Sequence, residues 1–242
     1  MRVLILSDIH ANLVAFEAVL EAAKDHYDQI WFLGDLIGYG PGPNACVALM
    51  QTRARLCLSG NHDWAALGKL DIDEFNAEAR AAILWTRKTL TAPSRIFLEP
   101  LPPMQIEGDY TLAHGSPRHP VWEYVLDYET AAANFAHFGT QYCLIGHSHM
   151  PLIIVENSPG EIESLPVVYD EAISIGSGRY MINPGSVGQP RDGDPRAAYA
   201  LLNTVSHTWE FCRVAYDIEE TQRQMRALAL PEPLIARLSH GW

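Results

Sequence analysis

Nine side chains in this sequence are of types that do chemistry together: Asp8, His10, Asp35, Asn61, His62, Asp63, His114, His147 and His149. Imidazole nitrogen with carboxylate and amide oxygen, and no thiolate, is a donor set for divalent transition metals. It favours Mn2+, with Fe, Ni2+ or Zn2+ as alternatives, over Ca2+ or Mg2+. The imidazoles of His10, His114, His147 and His149, the carboxylates of Asp8 and Asp35 and the amide of Asn61 exceed what one four-coordinate ion can take. The set therefore suits two divalent ions sharing a carboxylate. Each piece alone has an ordinary reading: Gly34-Asp35 as a turn, Asn61-His62-Asp63 as an Asx-turn, and Asp8 as a helix cap, although Asn12 is better placed for that role.

What lifts these residues above the ordinary is the elements that must position them. Nearly every one follows an apolar, β-branched run: Val3–Leu6, Ile30–Leu33, Leu56–Leu58, Tyr110–Ala113 and Tyr142–Ile145. A sixth run spans Leu152–Val155. Between the early runs lie helical patterns over Leu13–Lys24, Asn44–Gln51 and Glu74–Leu90, the last behind Asp73 as a cap. This βαβα alternation predicts an α/β fold in which residues past the carboxyl ends of the strands converge on one crevice. If the chain stays extended there, Asp8 with His10 and His147 with His149, two apart, each point the same way. In the later half, short runs at 167–169, 174–176, 180–183, 198–203 and 208–215 are separated by Gly, Pro and Asn. They predict antiparallel strands, followed by a helix from about Ile218 to Leu228. Pro100-Leu101-Pro102-Pro103 reads as a rigid connection rather than a linker, and the expectation is one domain over residues 1–242.

Composition narrows the partners. A net charge of −12, from 29 acidic and 17 basic residues, argues against non-specific attraction to nucleic acid or an anionic membrane. A small phosphorylated ester stays admissible, because bound metal ions would offset the local carboxylates. Cys46, Cys57, Cys143 and Cys212 are scattered without a Cys-x-x-Cys pair, which together with a strand-like N-terminus points to a cytoplasmic protein. Arg118, Arg179, Arg191 and Arg196 are the loop cations able to reach a phosphate. Arg191 is preferred because it follows the Gly185–Gly188 turn, although each also reads as a surface ion-pair residue. Tyr39 and Trp122 lie in segments just beyond Asp35 and His114 and complete the expected rim.

Ser7-Asp8-Ile9-His10-Ala11-Asn12, Gly34-Asp35, Gly60-Asn61-His62-Asp63, His114-Gly115 and Gly146-His147-Ser148-His149 resemble, in order, the five motifs of calcineurin-like metallophosphoesterases. Gly34–Pro41 and Asn183–Gly188 resemble the small prokaryotic phosphodiesterase branch. The resemblance implies a four-layer αββα sandwich, with two mixed sheets packed together, helices outside, and the metal site at the carboxyl ends of the strands. It further implies that Asp8, His10, Asp35 and His149 hold one metal, and Asp35, Asn61, His114 and His147 the other. Asp35 would bridge, and His62 would be the acid rather than a ligand. Ala11 departs from the glycine common among relatives, which puts the local turn in question, since alanine disfavours positive φ. Gly42 departs from a common acidic residue and bears on the rim.

The expected reaction is hydrolysis of phosphodiesters, with monoesters or nucleotide-derived esters as variants, by direct attack of a metal-bridging hydroxide. His62 would stabilise the transition state or protonate the leaving oxygen, with Asp63 orienting it. The competing reading is a non-catalytic metal-binding scaffold of the same fold, against which stands the intact set of motif residues. A homo-oligomer is compatible with the sequence.

Overall fold

The computed structural model describes residues 1–242. The first half alternates strand and helix: β1 (Arg2–Leu6), α1 (Leu13–Ala22), β2 (Gln29–Phe32), α2 (Pro43–Arg53), β3 (Ala54–Cys57) and then the helices α3 (Asn61–Leu67), α4 (Ala77–Thr89) and α5 (Ala92–Leu98). Next come β4 (Met104–Glu107), β5 (Tyr110–Ala113), α6 (Tyr128–Asn134), β6 (Tyr142–Leu144), β7 (Leu152–Ser158), β8 (Glu161–Leu165), β9 (Ala172–Ser174) and β10 (Arg179–Asn183). The chain closes with β11 (Ala197–Asn203), β12 (Thr208–Val214), α7 (Ile218–Ala227) and α8 (Glu232–Ala236).

The strands form two six-stranded mixed sheets, β3-β2-β1-β11-β12-β9 and β4-β5-β6-β10-β7-β8. In the first, β1, β2 and β3 run parallel; in the second, β5, β6 and β10 do. Alternation along β1 shows why the sheets stack. Val3 and Ile5 join Leu112, Tyr142, Leu144, Ile182 and Phe211 in a core between the sheets. Leu4 and Leu6 instead face Phe16 and Val19 of α1 and Val47 and Met50 of α2. A strand buried on both faces needs no polar alternation, which is why these runs read as continuous apolar stretches. Ala131 of α6 and the following Phe135 and Phe138 cover the outer face of the second sheet, completing the αββα order. A further core joins α3 and α4 to α7 and α8 through Ala65, Ile83, Met225 and Leu234, so the last helices pack beside the loops at the strand ends.

Several local expectations are corrected. Helix α4 begins at Ala77, not Glu74, because Asn76 rather than Asp73 caps it, accepting from the Ala79 N–H at 2.8 Å. The run at 167–169 forms only an isolated bridge, Tyr169 to Phe211, and the strand expected at 174–176 lies at Ala172–Ser174. The short helices α5 and α6 and strand β8 carried too few periodic apolar positions to be read. Asn12 is the cap of α1, its side chain accepting from Ala15 N–H at 3.2 Å.

Candidate metal centre

The carboxyl ends of β1, β2, β3, β5 and β6 all open on one edge of the sandwich, and there the loops carry Asp8 and His10, Asp35, Asn61, His114, and His147 with His149. All seven are at most 2 % exposed. The backbone that delivers them is not extended. Asp8, His10, Ala11, Asp35, His147 and His149 have φ between +49° and +64°. Asp8 with His10, and His147 with His149, converge through left-handed turns at each ligand and not through the extended chain expected from their spacing. A non-glycine residue there is strained, by roughly 1–3 kcal/mol each, and persists only where surrounding bonds enforce it. Ala11 takes φ +54° where glycine would be unstrained, with its N–H held by Leu36 O at 2.9 Å. The N–H groups of Asp8 and His10 are likewise tied to Gly34 O and Asp35 O, both at 3.0 Å, which locks the first two loops together.

The carboxylates are half satisfied by the protein and half not. Asp8 Oδ2 accepts from Ser7 Oγ at 2.6 Å and from His147 N–H at 3.0 Å; Asp35 Oδ1 accepts from His62 N–H at 2.9 Å. The other oxygens, Asp8 Oδ1 and Asp35 Oδ2, are buried without a hydrogen-bond donor. Asp35 Oδ2 lies 3.6 Å from His10 Nε2 and 3.4 Å from His114 Nε2, and Asp8 Oδ1 lies 3.3 Å from His149 Nε2. Orphaned carboxylate oxygens amid imidazole nitrogens are costly unless a cation occupies the space between them.

The histidine rings are oriented from behind. His10, His114 and His149 each place Nδ1 on a main-chain oxygen, of Ile37 at 3.3 Å, Leu33 at 3.0 Å and Gln189 at 2.5 Å. Donation from Nδ1 leaves a lone pair on Nε2 facing the centre. His147 is reversed: Nε2 faces Trp122 O at 3.2 Å, which frees Nδ1. Such backing bonds set tautomer and direction in metal-ligating histidines. Burial lowers the pKa values of His10, His147 and His149, His147 to about 3, so their free nitrogens are unprotonated at neutral pH. In the absence of metal His114 is the exception: burial lowers its pKa, but the charges of Asp35 and Asp8 and the hydrogen bonds to Asp35 and Leu33 O together raise it to about 9. Three groups have ligand atoms within 4.8 Å of one another: Asp8, His10 and His149; Asp35, His114 and His147; and His10, Asp35 and His62. Asn61 Oδ1 joins the second, 3.2 Å from His114 Nε2. The residues present fit two divalent cations sharing Asp35. His26, His119, His137, His207 and His240 lie outside every group.

His62 stands on the first turn of α3, its ring 4.2 Å from Tyr39, 4.9 Å from His10 and 5.2 Å from Phe75. Its Nδ1 has no protein partner, and burial holds its pKa down to about 4. The expectation that Asp63 orients His62 is corrected. Both Asp63 oxygens are consumed by backbone: Oδ2 by the N–H groups of Asp35, Leu36 and Gly60, and Oδ1 by that of Ile37, at 2.9–3.2 Å. Asp63 is the clamp that holds the Asp35 turn against α3. A β-carbon at Gly60 would sit 2.1 Å from Asp35 Oδ1, so only glycine admits this approach.

Of the four arginines expected in loops, Arg179 instead opens β10, and it, Arg118 and Arg196 are paired with Glu156, Glu123 and Asp194. Arg191 instead donates Nη2 to Gln189 Oε1 at 3.0 Å and keeps a buried Nε unpartnered, beside Tyr39 and Tyr124. Trp122 contributes its main-chain oxygen to His147, while its ring packs against Phe75 at 5.0 Å, behind His62. Ser7 and Ser186, which stand in the Ser7–Asn12 and Asn183–Gly188 motifs, hold Asp8, and Tyr124, which follows the His114 loop, stacks on His147 at 3.9 Å. Gln189, which supports both His149 and Arg191, escaped sequence reasoning; only the Asn183–Gly188 motif just before it hinted at its loop.

The model of the calcineurin-like phosphoesterase superfamily domain matches residues 1–207. The chain belongs to that superfamily. It is 38 % identical to an uncharacterized protein of Methanocaldococcus jannaschii over 98 % of this chain and 97 % of that one. A crystal structure of a metallophosphoesterase from Sphaerobacter thermophilus is 49 % identical and superposes with a TM-score of 0.92, covering 100 % of this chain and 99 % of the other. A hypothetical protein of Pyrococcus horikoshii, 21 % identical and covering 100 % and 98 % of the two chains, shares the fold with a TM-score of 0.79. Family and side-chain clusters together support divalent-metal binding and a hydrolase acting on phosphoesters. No helix is long and apolar enough to cross a membrane.

Proposed function

We propose that this protein is a binuclear metal-dependent phosphoesterase cleaving phosphodiester-type bonds by direct attack of water. The observation that carries the reading is Asp35 Oδ2, buried, undonated, and flanked by His10 on one side and His114 on the other. Asp8, His10, His149 and Asp35 would hold one cation; Asp35, Asn61, His114 and His147 the other. Two ions held there would polarise the phosphoryl oxygens and supply an activated water at neutral pH.

The chain's own residues do the rest. Asp63 and the backing carbonyls fix the donor geometry before substrate arrives, so little reorganisation is needed at the reacting centre. His62, neutral because it is buried, offers an N–H to a phosphoryl or leaving oxygen, where developing negative charge strengthens the bond. Arg191 adds a cation beside Tyr39 and Tyr124. Tyr39, Phe75 and Trp122 wall His62 from bulk water.

The test is hydrolysis of bis-p-nitrophenyl phosphate and p-nitrophenyl phosphate by metal-free protein, with Mn2+, Ni2+, Zn2+ and Mg2+ added in turn. Turnover restored by metal and lost in Asp35→Asn supports the proposal, and the diester-to-monoester ratio sets the substrate class. Metal uptake with no turnover on either ester would favour the scaffold reading instead.

A further inference from the structure

Arg191 is not alone. Arg237, in the 3-10 turn Arg237–Ser239 that follows α8, donates Nη1 to the same Gln189 Oε1 at 3.3 Å, and its Nε donates to the main-chain oxygen of Trp242. Two guanidinium groups thus converge on one neutral amide oxygen, with no Asp or Glu in ion-pair contact with either, in a chain of net charge −12. Like charges brought together this way repel, and no Asp or Glu side chain pairs with either; Arg237 Nε is met by the oxygen of Trp242, the last residue of the sequence. Arg191 Nε is buried without an acceptor, and Arg237 Nη2 has no protein acceptor. A planar fork with unused donors is the geometry that takes a phosphate oxygen pair.

Arg191 is joined to the metal centre by hydrogen bonds: its main-chain N–H donates to His149 O at 3.3 Å, and the main-chain oxygen of Gln189, whose side chain it shares with Arg237, accepts from His149 Nδ1 at 2.5 Å. Arg237 also forms one wall of a cavity of about 490 Å3 shared with Asn76, Glu78, Leu234, His240 and Trp242. There the Trp242 and His240 rings stack at 4.9 Å.

We propose that Arg191 and Arg237 form a subsite for a second phosphoryl group, so that the substrates are small molecules carrying a phosphate next to the one that is cleaved. This rests on the phosphoesterase reading above. It gives a role to the C-terminal segment, beyond the matched domain: Gln222 of α7 holds Ile235 O at 2.9 Å and Ser239 Oγ at 2.8 Å, which sets the turn bearing Arg237. The adjoining cavity offers space for an organic group esterified beyond the second phosphate.

The experiment compares wild type, Arg237→Gln and the charge-conserving Arg237→Lys, with Mn2+ held in excess. Three substrates are used: inorganic tripolyphosphate, ATP, and bis-p-nitrophenyl phosphate, which has no second anion. Arg237→Gln is expected to lose at least tenfold more in kcat/KM on tripolyphosphate than on bis-p-nitrophenyl phosphate, mainly through KM, and Arg237→Lys to recover part of that loss. ATP favoured over tripolyphosphate would assign the cavity to the organic group; equal rates would assign binding to the phosphates alone. Equal losses on all three substrates would overturn the subsite while leaving the phosphoesterase intact. Should no ester turn over, thermal protection by tripolyphosphate still decides: stabilisation of wild type but not of Arg237→Gln supports the subsite, and equal stabilisation of both refutes it.

Discussion

Asp63 offers the sharpest test of how this site is built, because it touches no expected substrate yet carries three bonds to the loop that presents Asp35 and a fourth to Gly60. Replacing it with Asn keeps the shape and removes the charge and one acceptor. The best amide orientation leaves three N–H groups, of Asp35, Leu36 and Gly60, on the carbonyl oxygen and turns an NH2 toward the N–H of Ile37. Orphaning one buried donor costs about 1–3 kcal/mol, and the remaining bonds weaken from charged to neutral, so about 3–5 kcal/mol is expected in all. For a chain of 242 residues this corresponds to a fall in Tm of about 10 °C. The Asp35 turn, at φ +59°, would relax once unclamped, and metal affinity should drop by about 10–100-fold. Burial and the Asp35 charge push Asp63 up to about 7, so the comparison belongs at about pH 8.5, where it is ionised. Melting of the metal-free proteins and titration with Mn2+ supply the two readouts. An Asp63→Asn variant that melts within about 2 °C of wild type and binds Mn2+ as tightly would refute the clamp.

The other expectations concern the centre and its supports. His62→Asn should retain both metals by elemental analysis while kcat falls by about 10^2–10^4, and loss of metal instead would make His62 a ligand, as its reach to His10 and Asp35 allows. Gly60→Ala should abolish turnover and metal uptake together, since its β-carbon would lie 2.1 Å from Asp35 Oδ1; full activity would show that the α3 approach is looser than described. Glu123 braces the loop after His114 through Arg118, Asn134 and Ser116. Burial works to raise its pKa, and those bonds outweigh burial and hold it at about 2 against an ordinary 4.5. A depressed carboxylate stabilises above its unfolded pKa, so its contribution, about 2 kcal/mol after solvent screening, is present at neutral pH and lost between about pH 4.5 and pH 2. Denaturant unfolding of metal-free wild type and Glu123→Gln should therefore differ at pH 7 and converge near pH 2; a gap unchanged with pH would contradict the assignment.

The sequence alone determined the ligand types and their attachment to strand ends. Buried strands need uninterrupted apolar runs, and a polar residue directly after such a run, repeated along the chain, is legible without coordinates. Family resemblance added the division of the ligands. Less local features were not legible. The left-handed turns at Asp8, His10, Asp35, His147 and His149 run against residue preference and exist because bonds from distant loops enforce them. Asp63 sits beside His62 in sequence, yet its carboxylate points into the Asp35 loop, since three N–H groups there, with that of Gly60, bind it more strongly than one imidazole could. In the sequence only the preceding Gly185–Gly188 turn set Arg191 apart from three other cations; the fold gave those three a carboxylate and brought Arg237, from 46 residues further along, to the same amide as Arg191. Ligand identity is written in residue type and local hydropathy. Which charges are compensated, and which are left for a ligand, depends on partners that only packing brings within hydrogen-bond distance.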